Sequence, residues 1–312
     1  MTDILRVNAY MQAIPPGNKN PEKPRLLEYF ISGVQKYGDK GSIINSFHFE
    51  PAHVGVLQGY VHPQSKHVPH LNLRRNVLTG QKEVGGRTII ADSNLFLAYD
   101  PGNTKTYLRY SYDGIFPTTG EYCDANKDPA RWEKLRDDLG IQMKPWKRQG
   151  DYILITCQRD GGWSMDGTAL INWLHPVINH IKKYTNKPIQ VRFHPGDKKN
   201  AKHMQQLHAI GHKVAYSSTS SSLQKDLHDA HAIVSYNSSP AIVAAIEGVP
   251  CYVLDPARSQ AREVSHTNLQ DLDTPREFDR VPWLQRLAMF HWRLDELKDG
   301  TCWAHMRKWA KP

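Results

Sequence analysis

The chain has 312 residues, 23% of them charged and 39% hydrophobic, proportions that exclude a disordered chain and suit two α/β domains of ordinary size. No stretch approaches the roughly 18 apolar residues of a membrane span, and Asp3 and Arg6 interrupt the first ten residues, so no signal peptide is read there. A net charge of +9 favours anionic partners by long-range attraction, either a nucleic acid or a nucleotide substrate.

In chain order, residues 4–10 read as a strand and a proline-rich loop follows over 14–24. Residues 25–37 read as a helix because Leu26, Leu27, Phe30, Ile31 and Val34 recur at helical spacing, and Gly38 stops it. Strands are expected at 42–46, 54–61 and 87–91, with a helix at 68–78 between the last two. Such alternation indicates parallel, doubly wound packing. Residues 100–150 are turn-rich, with an extended run at 107–112 and a short amphipathic helix at 129–139. Pro145 and Gly150 punctuate a basic segment, which puts the first domain at 1–148.

The second half is clearer. Residues 152–157 are continuously apolar, as in a strand buried on both faces. Helices at 168–185, 199–211, 223–229 and 240–247 then alternate with strands at 189–193, 214–216, 232–236 and 250–254. This is the pattern of a second Rossmann-like domain, 149–282. A helical tail, 283–312, carries Trp283, Trp292, Trp303 and Trp309, read as packing anchors that return it to the first domain. The cysteines are scattered, as reduced thiols of a cytoplasmic protein are, and no CxxC or HExxH spacing points to a metal.

Three segments of the second half can carry chemistry, each at the end of an expected strand. In Tyr236-Asn237-Ser238-Ser239-Pro240, small hydroxyl residues turn the chain into a helix, with Ser238 or Ser239 as its cap and backbone amides free for a phosphate. The bland alternative is an ordinary capped helix. In His194-Pro195-Gly196-Asp197-Lys198, His194 and Lys198 suit phosphate oxygens, and Gly196 lets the backbone come close to a ligand. The alternative there is a solvated turn. In Gln158-Arg159-Asp160-Gly161-Gly162-Trp163-Ser164, Arg159 suits a diphosphate and Trp163 a sugar or base, although tryptophans more often serve a core. In the first half, Asp92 and Asp113 follow expected strands. Either can take a proton from an attacking hydroxyl, or simply form a turn.

Taken in order, these segments resemble glycosyltransferase-like proteins of tailed bacteriophages. Lys144-Pro145-Trp146, Ala245-Ile246-Glu247-Gly248-Val249-Pro250 and His291-Trp292 also fit, and the likeness covers roughly residues 107–300. The serine turn, helix and Glu-Gly-x-Pro layout is also similar to capsular and lipopolysaccharide sugar transferases of GT-B fold. The resemblance implies two Rossmann-like domains with a deep cleft between them, the second binding a nucleotide sugar and the first an acceptor. In bacteriophages such acceptors are often hydroxymethylated pyrimidines of DNA, so double-stranded DNA is an expected partner. A surface glycan acceptor and a non-catalytic DNA-binding shell are the alternatives. On this reading Gln158, Arg159, Gly162, Trp163, Ser164, His194, Pro195, Gly196, Tyr236, Asn237, Ser238 and Ser239 hold the donor, and Asp92 or Asp113 is the base. The nucleotide sugar is a co-substrate, no cofactor is tightly held, and a divalent metal is not required.

Overall fold

The computed structural model describes residues 3–17, 22–218 and 220–311. The chain divides into two compact units, one running to Leu139 and resuming at Gln285, the other spanning Gly140–Leu284. The first begins with β1 (Arg6–Tyr10), α1 (Glu22–Lys36), β2 (Lys40–Ile44), β3 (Val54–Gln58), α2 (Pro69–Glu83), β4 (Arg87–Asp92), β5 (Leu108–Tyr112) and α3 (Pro129–Leu139). The second contains β6 (Tyr152–Thr156), α4 (Leu170–Ile181), β7 (Ile189–Arg192), α5 (Asn200–Ala209), β8 (Ala215–Tyr216), α6 (Leu223–His228), β9 (Ala230–Ser235), α7 (Pro240–Ile246) and β10 (Cys251–Val253). Then α8 (Val281–Ala288) leads to β11 (His291–Trp292), α9 (Leu294–Lys298) and α10 (Thr301–Met306).

Among the described residues the first unit holds a six-stranded sheet in the order β11-β5-β4-β3-β1-β2. β1 to β4 pair in parallel, but β5 runs antiparallel to β4, and β11 antiparallel to β5. The departure from a wholly parallel sheet has a local cause. Residues 93–107 contain only the 3-10 turn Leu97–Tyr99, whereas a parallel return needs a crossover helix. The tail is likewise not helical throughout, because His291 and Trp292 pair with the edge of β5. Alternation sorts each strand's side chains to two faces. Val7, Ala9, Val54 and Val56 join the core that packs α1, α9 and α10, while Tyr10 and Leu57 join Leu73 and Val77 of α2 on the other face.

The tail is fixed to this unit by specific contacts. Trp303 meets Phe30 edge-on at 5.9 Å and donates from its indole N–H to Asp39 at 2.8 Å. The guanidinium of Arg131 lies 3.8 Å above Trp292 and pairs with buried Glu296.

The second unit holds a five-stranded parallel sheet in the order β10-β9-β6-β7-β8. β6 and β9 are buried along most of their length, because Ile153, Ile155, Ala232 and Val234 face α4 and α5 while α7 is buried on every side. No helix among the described residues is long and apolar enough to cross a membrane.

Candidate functional site

In the second unit the chain winds outward from β6 in both directions, with β7 and β8 on one side and β9 and β10 on the other. The strand order therefore reverses between β6 and β9. The carboxyl ends of the strands at such a reversal are where open α/β sheets bind ligands. All three sequence motifs fall here. Residues 157–168 leave β6, while residues 193–199 and 236–239 leave the strands on either side of it. The two outer loops are thus about 10 Å apart, twice the interstrand spacing.

Side-chain bonds bridge the reversal. Gln158 donates from Nε2 to Asn237 Oδ1, and Asn237 donates to the Ser164 carbonyl at 3.2 Å and to Asp255 Oδ2 at 2.9 Å. Gln158 Oε1 and Ser238 Oγ are different: both are buried and have no hydrogen-bond partner among the described residues. Leaving such a group unpaired costs about 1–3 kcal/mol. Two of them lie on adjoining strand-end loops at the reversal. Ser239 sits in helical conformation with no side-chain cap bond, so neither serine caps α7, and Pro240 sets the helix start instead. The hydroxyl of Ser238 is thereby left for another partner. The Tyr236 ring packs edge-on against Trp173 at 6.0 Å, and its hydroxyl accepts from Arg258 at 3.1 Å. The Trp163 side chain lies outside the described ones.

His194-Pro195-Gly196-Asp197 forms a β-turn, the Asp197 N–H donating to the His194 carbonyl at 2.9 Å. The Gly196 amide donates to His194 Nδ1 at 2.9 Å and Arg159 Nε donates to the same atom at 3.4 Å. Nδ1 is thus an acceptor, which leaves the ring proton on Nε2. Burial, then the Arg159 charge, holds the His194 pKa below its ordinary value, against a smaller pull from Asp197. Gly196 serves a different neighbour from the one expected. A Cβ there would meet Arg159 Nη2 at 2.5 Å, so the missing side chain makes room for the guanidinium. Gly162 likewise acts through its carbonyl, which accepts from Met165 at 2.9 Å and from Gly167 at 3.2 Å. Next to this turn, Asp160 accepts from Lys199 Nζ and from the Leu170 amide, both at 2.8 Å; the lysine bond above all lowers its pKa.

Sequence reasoning missed Asp255, Arg258 and Asp166. Arg258 binds both oxygens of Asp166 at 2.8 Å and pairs with Asp255, which in turn holds Asn237. Burial opposes the Arg258 charge, but bonds to the two aspartates keep it firmly protonated. A signal was present: Asp255 follows the expected strand 250–254, and Arg258 is three residues on.

The two aspartates of the first unit stand at opposite edges of its sheet. Asp92 ends β4 at the carboxyl edge and pairs with Arg109, its cross-strand neighbour on β5. Burial raises its pKa, but the Arg109 charge and hydrogen bond outweigh that and leave it lowered. Asp113 follows β5 at the amino edge, in left-handed conformation (φ 65°). Its carboxylate accepts from Arg87 Nε and the Thr88 amide, both at 2.8 Å. That is a clamp on the β4–β5 return, at the opposite edge from Asp92, so the two cannot serve one site as interchangeable bases. Among the described residues no group of three or more histidines, cysteines or acids is placed to hold a metal ion.

No protein-family model matches the chain, and no curated protein matches it. Solved structures do. The KpsC β-Kdo 2,4-transferase of Thermosulfurimonas dismutans superposes with a TM-score of 0.55 at 10% identity, covering 91% of this chain and 89% of that one. The KpsC β-Kdo 2,7-transferase of the same organism gives 0.52 at 12% identity over 96% and 99%. At such identities the likeness is one of fold: two α/β units built on largely parallel sheets, the plan of GT-B glycosyltransferases.

Proposed function

We propose that the chain is a glycosyltransferase that moves a sugar from a nucleotide-sugar donor, held by the second unit, to a hydroxyl of an acceptor held by the first. One observation carries this reading. Three loops of suitable chemistry leave adjacent strands at the β6–β9 reversal, and two of them present the unpartnered polar atoms Gln158 Oε1 and Ser238 Oγ. The donor's phosphate would take a hydrogen bond from His194 Nε2–H and charge from Arg159, an exposed residue whose guanidinium lies against the turn. Gln158, Asn237 and Ser238 would orient the sugar or the nucleoside. In the reaction the acceptor oxygen bonds to the anomeric carbon as the bond from that carbon to the donor phosphate breaks. Asp92, ionised because of Arg109, takes the hydroxyl proton, and the phosphate leaves with the electron pair.

For the acceptor we favour a glycan hydroxyl, since the two superposed structures named above are Kdo transferases. A hydroxymethylated pyrimidine of DNA is the second reading, supported by the +9 net charge. The test is incubation with a panel of nucleotide sugars against both acceptor types, read by mass spectrometry. A glycan mass gain supports the first reading, and a gain on the DNA nucleoside replaces it with the second. No gain on either acceptor, with no donor binding, removes the glycosyltransferase.

A further inference from the structure

The first unit has its own strand-order reversal. From β1 the chain moves to β2 on one side and then to β3 on the other. Arg74 of α2 lies across that point and is only 7% exposed. Its Nε donates to the Ala13 carbonyl beyond β1 at 2.9 Å, and its Nη1 to the Tyr60 carbonyl beyond β3 at 3.1 Å. Gly59 makes room for it, since a Cβ there would stand 2.8 Å from Nη1 and the residue has φ +84°.

These carbonyls satisfy one edge of the guanidinium but not its charge. Among the described residues no carboxylate touches Arg74 and its Nη2 hydrogens have no partner. The nearest acid acting on it is Asp92, next to Ala91, whose carbonyl accepts from Gly59 at 2.7 Å. Asp92, however, is already bound to Arg109. Among the described residues the cluster therefore holds two guanidinium groups and one carboxylate in a mostly buried place, leaving one positive charge uncompensated. Burial lowers the Arg74 pKa to about 10 and, with the Arg74 charge beside it, also lowers that of His70 one turn back on α2. A buried cation without a counter-ion is costly, and an oxyanion on its free edge removes that cost.

We propose that Arg74 reads an anionic group of the acceptor, binding the carboxylate or phosphate of an acidic glycan at the β1–β3 reversal. This rests on the glycosyltransferase reading for what the site serves, though not for its affinity for an oxyanion. The site favours a compact terminal group over a nucleic acid duplex, because duplex binding neutralises several phosphates with exposed cations, whereas here one buried guanidinium presents one edge. Asp92, the proposed base, ends the strand next to β3.

The test compares acceptors that differ only in charge: a glucuronoside, a glucoside 6-phosphate and the neutral glucoside. Wild-type kcat/KM should favour the charged acceptors at least about tenfold. Arg74→Lys should erase that preference while the donor KM stays unchanged, and whichever charged acceptor is preferred tells carboxylate from phosphate. Equal use of all three overturns the proposal and leaves the transferase intact. If no acceptor is used and no nucleotide sugar binds, yet sodium glucuronate or phosphate binds the wild type and not Arg74→Lys, the anion site stands and the transferase reading falls. Should Arg74→Lys not fold, a crystal of the wild type grown with sodium glucuronate decides: a carboxylate on Arg74 supports the site, and one bound elsewhere overturns it. Arg74-dependent binding of a DNA duplex that displaces glucuronate overturns the glycan class.

Discussion

The two sheets share a winding plan but finish their carboxyl edges differently. In the second unit the reversal is framed by loops that leave polar atoms unpaired and carry a histidine kept neutral by its surroundings. In the first it is crossed by one buried arginine with an ion pair beside it. The comparison teaches that the same strand-order reversal can present quite different chemistry, set by the residues at the strand ends. Loops with spare hydrogen-bonding capacity suit a neutral or phosphorylated small molecule, and a lone buried cation suits a single anionic group.

The sharpest way to break this division of labour is Asp92→Asn. Turnover should fall about 10²- to 10⁴-fold with donor affinity unchanged, measured by initial rates and calorimetry. A fall in donor affinity instead would mean the units do not divide the substrates this way. Next comes Asn237→Ala, which removes the bridge to Gln158 and the hold on Asp255. Donor affinity should drop about tenfold to a hundredfold, and an unchanged titration curve would displace the donor from the β6–β9 reversal.

The third effect is acid lability of the first unit. His291 is wholly buried, its Nδ1–H donating to the Leu287 carbonyl at 2.7 Å and its Nε2 accepting from the Leu95 amide at 3.2 Å. Burial pushes its pKa down to about 3 from an ordinary 6.5. The folded pKa is depressed, so the unfolded chain binds the proton more readily. The contribution is therefore full above 6.5 and is lost as pH falls toward 3. At pH 5 about 2 kcal/mol of stability should be gone, and in denaturant melts the gap between wild type and His291→Asn should narrow by about that amount between pH 7 and pH 5.

A smaller effect concerns His194, whose ring should titrate below 6.5 in the free protein and move upward when a nucleoside diphosphate binds, since an added anion offsets burial and Arg159. NMR titration checks this, and an unmoved midpoint would take His194 out of phosphate contact. The smallest is Asp113→Asn. Its bond to Arg87 is partly exposed, so the loss should be within about 1 kcal/mol, a shift of a few degrees in Tm with turnover untouched.

Much of this was legible in the sequence. The continuous apolar run at 152–157, the helical spacing of Leu26 to Val34 and the small polar residues after 235 reflect short-range physics: burial on both faces, helical period and turn chemistry. Asp255 and Arg258 could have been found by the same reasoning, since they too follow an expected strand. Arg74 could not, because nothing local distinguishes an arginine that reaches across two strand ends from one on a solvated helix face. Nor could the split between Asp92 and Asp113: both follow a strand in sequence, but β5 runs backward.

By itself, then, the sequence determined the elements, their two-unit grouping and the three loops of the second unit, because periodicity and turn preference act over a few residues. Tertiary structure alone decided strand direction at β5, the pairing of His291 and Trp292 with its edge, and the isolation of the Arg74 charge. Each of these depends on which distant groups become neighbours, and on how little water remains between them to weaken their fields.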